Sequence, residues 1–217
     1  MNLEPVETAI HADRDLGRDT ATIAVAVALA TVYATLRYNI FKGVAWSDWP
    51  HFVGNKIVAV SALILIVDAI WRLASRDRRP IRRIMGTASL LAVVHSLMSL
   101  ALLDPVYFEK FFLERGLSLA GGVSLLLGSL ATALLIRGEG RRGASAPVSA
   151  SLLLGSTAAL VAIHAALPSV PSWLEPTAWP GGMPPLTLLS FGIGGLGVAL
   201  ALRCWAHGRA GRKAVSG

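Results

Sequence analysis

Long apolar runs separated by short polar segments set the pattern of this chain. Six can be traced, roughly Thr20–Leu36, Val53–Leu73, Ile84–Leu103, Leu117–Ile136, Val148–Leu167 and Leu186–Trp205. Each is close to the ~20 residues that carry an α-helix across the hydrocarbon core of a bilayer. The strict apolar/polar alternation of a membrane β-barrel is absent, so the spans are expected to be helices. Their connections are brief, which makes consecutive helices antiparallel neighbours in one bundle. The pattern predicts an all-α, polytopic membrane bundle of six transmembrane helices over residues 20–205. An N-terminal tail, 1–19, precedes it, and a basic C-terminal tail, 206–217, follows.

Composition agrees with the pattern. Of 217 residues, 54% are hydrophobic and only 15% charged, against about a quarter charged in an ordinary globular domain. The mean hydropathy is +0.60. The single cysteine, Cys204, excludes an internal disulfide and a thiolate-bound iron–sulfur cluster within one chain. It reads as a small apolar residue near a helix end. No cleavable signal peptide is expected, because residues 1–19 lack a basic stretch leading into a short apolar core. With tails this short and no Gly-rich dinucleotide fingerprint in the sequence, no flavin or nicotinamide domain is expected.

The net charge of +7 changes the picture only through its placement. Ser75–Arg83, SRDRRPIRR, carries five arginines; Arg137, Arg141 and Arg142 follow span four, and Arg209, Arg212 and Lys213 follow span six. With Arg14, Arg18, Arg72 and Arg203, that side holds 15 of the 20 basic residues. The opposite side holds Arg37, Lys42, Lys56, Lys110 and Arg115. The positive-inside rule then expects both termini in the cytoplasm, and topology accounts for the basic charge without nucleic acid. Trp46, Trp49, Trp173 and Trp179 belong to the outer loops, as expected of headgroup-level anchors with wet N–H groups. Six prolines, Pro168, Pro171, Pro176, Pro180, Pro184 and Pro185, predict a stiff, non-helical third outer loop. That loop is either a lid over the outer end of the bundle or a plain surface loop.

Two titratable rings lie inside the apolar runs: His95 in span three and His164 in span five. A polar ring in hydrocarbon asks for a reason. A neutral imidazole is a good haem ligand, and the commoner alternative is a structural hydrogen bond to a neighbouring helix. Ala88, Ala92 and Ser99 share the face of His95, and Ser156 and Thr157 lie one to two turns below His164. These small residues suit either a flat macrocycle or close helix packing. Counting from the inner helix ends places the two histidines about 7–8 Å apart in depth, an obstacle to sharing one iron. Zinc fits poorly, with no third ligand at spacing to either ring.

Other polar positions have plainer readings. His51 is expected at the outer surface, and His11 and His207 in polar segments. Asp68 is expected to pair with Arg72 four residues on, with a proton relay as the alternative. Asn55 and Lys56 open span two. Lys56 either snorkels to the headgroups or steers an anionic propionate or quinone-type molecule. Gly192, Gly194, Gly195 and Gly197 in span six, and Gly121 and Gly122 in span four, suit close helix contact.

The runs RYNIFKGVAWSDWPHFVGNKIVAVSALILI, RRIMGTASLLAVVHSLMSL, and PVYFEKFF with LSLAGGVSLLLGSLATALL resemble the ferric-reductase-like transmembrane domain family. That family includes the haem-binding membrane subunit of the methionine sulfoxide reductase system and the membrane cores of NADPH oxidases. The likeness covers most of Arg37–Trp205. It implies a bacterial inner-membrane six-helix bundle holding b-type haem between spans three and five. Arg82, Arg83 and His95 match the family's basic stretch and histidine of span three, and His164 matches the later histidine of span five. These two would be axial ligands of an outer haem. The family's second span-five histidine has no counterpart in APVSASLLLG, around Ala150 and Ser151, so the resemblance implies one haem and no inner one.

The expectation is therefore a membrane cytochrome b subunit, an oxidoreductase component. It would pass electrons through one haem b on His95 and His164 to an outer acceptor, with the donor a quinol or a partner protein. The alternative is a cofactor-free membrane scaffold or assembly subunit built on the same bundle. A transporter has less support, since no inverted repeat or paired broken helices are visible.

Overall fold

A computed structural model describes residues 4–75, 77, 81–114, 116–140 and 147–216, with side chains described from residue 15 and not at 139–140, 147–148 and 209–216. Its elements in chain order are α1 (Glu4–Thr35), α2 (Gly54–Ala74), α3 (Arg82–Ala101), α4 (Pro105–Phe108), α5 (Leu119–Gly140), α6 (Pro147–Ala166), α7 (Val170–Trp173) and α8 (Leu186–Ser216). Among the described residues, six helices are long and apolar enough to cross a membrane: α1, α2, α3, α5, α6 and α8. The protein is an all-α, multi-pass membrane bundle, with the spans close to their expected positions. Much of the basic charge expected between spans, at 76, 78, 79, 141 and 142, lies outside the described residues.

α1 departs from the expected tail. It begins at Glu4, with Pro5 in the first turn, where a missing N–H costs nothing. Its 32 residues give about 48 Å of helix, longer than the hydrocarbon is thick. At its outer end α1 passes into a π-helical turn, Leu36–Phe41, and a second π-helical turn, Trp49–Val53, leads into α2. The first buries Arg37 and Asn39, and the second buries Phe52 and Val53.

α2 is the central helix. Of its most apolar window 61% is buried, against 22–39% in the other spans, and it packs against α1, α3, α6 and α8. Leu63, Leu65, Ile66, Ala69 and Ile70 form its core face with Ile84, Met85 and Ala88 of α3. The most extensive helix pair is α6 with α8. A Cβ at Gly194 would stand 2.8 Å from the Ala158 carbonyl, and one at Gly197 would stand 3.0 Å from the Ala158 Cβ. These two glycines serve close contact as expected. Gly192, Gly195 and Gly122 do not: a Cβ there would meet nothing within 4 Å. Gly121 backs onto the Phe111 main chain.

The outer loops are more ordered than their sequence suggests. The third, expected to be non-helical, forms α7 and two 3-10 turns, Pro176–Ala178 and Pro180–Gly182. Pro171, Pro176 and Pro180 sit in the first positions of those turns, where a fixed φ and no N–H are compatible with helix. The second outer loop holds a short hairpin, β1 (Phe112–Leu113) with β2 (Gly116–Leu117), Phe112 opposite Leu117.

Candidate functional site: the histidine pocket

A cavity of about 630 Å³ opens at the end of the bundle away from the two termini and runs between the helices. His95 and His164 both line it. Their ring centroids lie 6.4 Å apart, with the planes at 74°. The depth offset expected from helix counting does not keep the rings apart. α3 runs six residues past His95 and α6 only two past His164, so helix ends are poor markers of common depth.

Each ring is fixed through Nδ1. Asn55, fully buried at the start of α2, donates from Nδ2 to Ser99 Oγ at 3.0 Å. Its Oδ1 thereby faces His95 and accepts the Nδ1–H at 2.6 Å. On the other side His164 Nδ1 donates to the Ser124 carbonyl at 2.7 Å, while Ser124 Oγ donates to the His164 carbonyl at 2.8 Å. A carbonyl oxygen only accepts, so this network assigns the proton to Nδ1 in both rings and leaves each Nε2 with its lone pair. No protein partner for either Nε2 occurs among the described residues.

Small residues make the space. Ala92 and Ser99 line the cavity as the shared face with His95 predicts, and Ala88 is buried just below. Thr157 faces inward, whereas Ser156 is exposed and takes no part. Gly128 of α5 backs the His164 ring: a Cβ there would stand 3.0 Å from Nδ1. Among the described residues no group of three or more His, Cys, Asp or Glu side chains stands together for a metal ion. Among the described residues, His95 and His164 are the two histidines that line the cavity.

The mouth is cationic and aromatic. Arg37, Lys42, Lys56 and Lys110 line it, with Asp48, Glu109 and Glu175. Lys56 Nζ lies 4.8 Å from the Phe52 ring centroid and 4.4 Å from that of Phe108, within cation–π range. Burial, with the Lys42 and Arg37 charges nearby, holds the Lys110 ammonium below the ordinary lysine range; Glu109 and Glu175 act the other way.

The third outer loop closes over this mouth. Ser172, Trp179 and Pro180 line the cavity. Tyr33 donates to the Pro184 carbonyl at 2.7 Å, and Arg37 NH1 donates to the Met183 carbonyl. These bonds tie the loop to α1 and to the π-helical turn that follows it. Three of the four tryptophan N–H groups expected to be wet bond within the protein instead. Trp49 donates to Thr35, Trp173 to Thr187 and Trp179 to the Ser172 carbonyl, at 2.9, 3.0 and 3.0 Å. Trp46 is exposed.

Farther from the mouth, Asp68 pairs with Arg72 at 2.7 Å, as the i,i+4 spacing predicts. Arg72 is also bound by Asp19 of α1 at 2.6 Å and is only 1% exposed. His51 and His207 are exposed. Cys204 is half-buried, its thiol 3.8 Å from the Leu73 carbonyl.

The functional residues that sequence reasoning missed are Asn55 as the partner of His95, Ser124, Gly128 and Asp19. Asn55 offered a signal, an amide at the head of an apolar run. Ser124 and Gly128 offered none, since small residues are common in membrane helices. Comparison of the chain with protein-family models, with characterised proteins and with solved structures returns no significant match.

Proposed function

We propose that the protein is a membrane cytochrome b subunit in which His95 and His164 ligate one haem. The observation that carries this reading is the ring pair 6.4 Å apart, each ring tied through Nδ1 and each presenting a free Nε2. Two imidazoles on opposite sides of one metal, with bonds of about 2 Å, have centroids about 6 Å apart. Metal-bound histidines characteristically donate their other N–H to a carbonyl or amide oxygen, as both do here. The cavity is lined by small residues between the two rings and closed by a loop above. A b-type haem bound there supplies a one-electron couple tuned by its ligands, their hydrogen bonds and burial.

The chain's own residues then have definite roles. Asn55 and the Ser124 carbonyl hold the two tautomers and aim Nε2. Gly128 leaves the His164 ring room against α5. The packed bundle and the outer loop exclude water. Electrons enter from a quinol or a partner protein and leave to an outer-side acceptor. Both termini are cytoplasmic, in a bacterial inner membrane, and the bundle is of ferric-reductase-like type. Ser151, buried in α6, stands near where a second, inner ligand would be needed, so the reading takes one haem.

The test is the visible spectrum of protein purified from haem-replete cells, oxidised and then dithionite-reduced. A reducible Soret and α-band are expected, both lost in His95→Ala and His164→Ala. A colourless wild-type protein contradicts the reading. One observation favours the alternative of a cofactor-free scaffold: each histidine already bonds a neighbouring helix, α2 or α5, which is what a structural role requires. On that reading His164→Ala loosens α5 from α6 and no colour is present to lose.

A further inference from the structure

The mouth of the cavity holds more positive charge than the histidine pair needs. Lys42, Lys56 and Lys110 come from three different segments and line one opening. The ion pairs among the described residues are those of Arg72 with Asp19 and Asp68, so none of these three lysines stands within ion-pair distance of a described carboxylate, although Glu109 and Glu175 act on Lys110 from farther off. Lys56 has two phenyl rings as neighbours, and Lys42 Nζ lies 5.9 Å from the centroid of Tyr38. Arg37 adds a fourth positive charge, with NH1 committed to the Met183 carbonyl. Asp48, Glu109 and Glu175 offset three of the four, and Asp48 already accepts from Tyr107 at 3.4 Å. Burial is the main cause that holds Lys110 below the ordinary lysine range; Lys42 and Arg37 add a smaller repulsion, and Glu109 and Glu175 act against it. An anion placed among them relieves that repulsion, and low-dielectric walls strengthen the attraction.

The rest of the lining is mostly apolar, Ile66 and Leu135 among it, with Ser96, Thr132 and Thr157 alongside. A small inorganic ion uses only the top of such a site. A molecule with carboxylates at one edge and a flat apolar body uses all of it.

We propose that the mouth is a carboxylate-binding site, in which Lys56, Lys110 and Lys42 hold the acid groups of a flat amphiphile whose body enters the cavity. Those carboxylates belong either to the edge of a haem in the pocket or to a separate flat aromatic acid. The first source rests on the cytochrome reading; the second does not.

The experiment uses full-length, haem-free protein in nanodiscs. Metal-free protoporphyrin IX and its dimethyl ester are titrated by fluorescence against wild type and Lys56→Gln/Lys110→Gln. Wild type is expected to bind the diacid at least tenfold more tightly than the diester. The double variant is expected to bind both alike, with the diester affinity unchanged, which also shows that it is folded. Equal binding of acid and ester by wild type, or a preference that survives the double substitution, overturns the proposal. 2-Naphthoate then separates the sources. Lysine-dependent binding to porphyrin-loaded protein assigns a separate acid, and lysine-dependent binding only to unloaded protein assigns the haem edge. If the porphyrin does not bind, lysine-dependent naphthoate binding supports the site and its absence overturns it. The porphyrin carries no iron, so the outcome does not depend on histidine ligation. A protein that shows the acid preference yet never retains haem contradicts the cytochrome reading alone.

Discussion

Asn55 and His95 lie forty residues apart and define the site between them. The amide oxygen at 2.6 Å from Nδ1 sets which nitrogen of His95 faces the cavity. Replacing Asn55 with Leu removes that acceptor at similar volume. Haem retention is expected to fall about 10–100-fold, the usual cost of losing an outer-shell partner, measured by haem-to-protein ratio after purification. Asn55→Asp keeps the geometry and makes the acceptor anionic, raising the basicity of His95 and favouring the oxidised iron. A tenfold tighter hold on that state lowers the midpoint by about 59 mV in a one-electron couple, read by redox titration. An unchanged potential in Asn55→Asp contradicts the positioning role. On the far side, Gly128→Leu drives a side chain into the His164 ring, where even a Cβ stands 3.0 Å from Nδ1. The variant is expected to fold and to lose haem. At this scale the two histidines were legible because a polar ring interrupts an apolar run. Their partners were not: the Asn55 bond crosses between helices, and no sequence period records which helices face each other.

Among the elements, α6 and α8 make the tightest helix pair, and the glycines of α8 are not equivalent. Gly194→Leu and Gly197→Leu force the helices apart at Ala158. Each is expected to lower the thermal midpoint in detergent by several degrees or to prevent assembly. Gly192→Leu and Gly195→Leu face open space and are expected to leave the midpoint unchanged. Equal sensitivity of all four would mean that the α6–α8 register is wrong. The spans themselves were readable, since twenty apolar residues have few alternatives in a bilayer. Which glycines face inward was not readable, because four glycines within six residues cover both faces of the helix. Nor were the π-helical turns at Leu36–Phe41 and Trp49–Val53. They depend on burying Arg37 and Asn39 from one side and Phe52 from the other, a demand of the assembled bundle and not of the local sequence.

Across the whole molecule, the two ends of the bundle are held by different chemistry. Toward the basic end, Arg72 binds Asp19 and Asp68 and locks α1 onto α2. Arg72→Met leaves Asp19 buried without its partner. That change is expected to cost about 3–5 kcal/mol, seen as reduced yield and a lower thermal midpoint. The i,i+4 half of this cluster follows from spacing; the Asp19 half does not, because that residue reads as part of a polar tail until α1 is seen to continue through it. At the other end the third outer loop is held by Tyr33 and Arg37 against the carbonyls of Pro184 and Met183, over the pocket that joins α3 to α6. The central claim is that this pocket holds one iron between two histidines, and low-temperature electron paramagnetic resonance of the oxidised, purified protein tests it most directly. The account predicts a low-spin ferric signal of the bis-imidazole type, integrating to one haem per chain and lost in His164→Ala. A high-spin wild-type signal, or no haem signal from haem-replete cells, would contradict it.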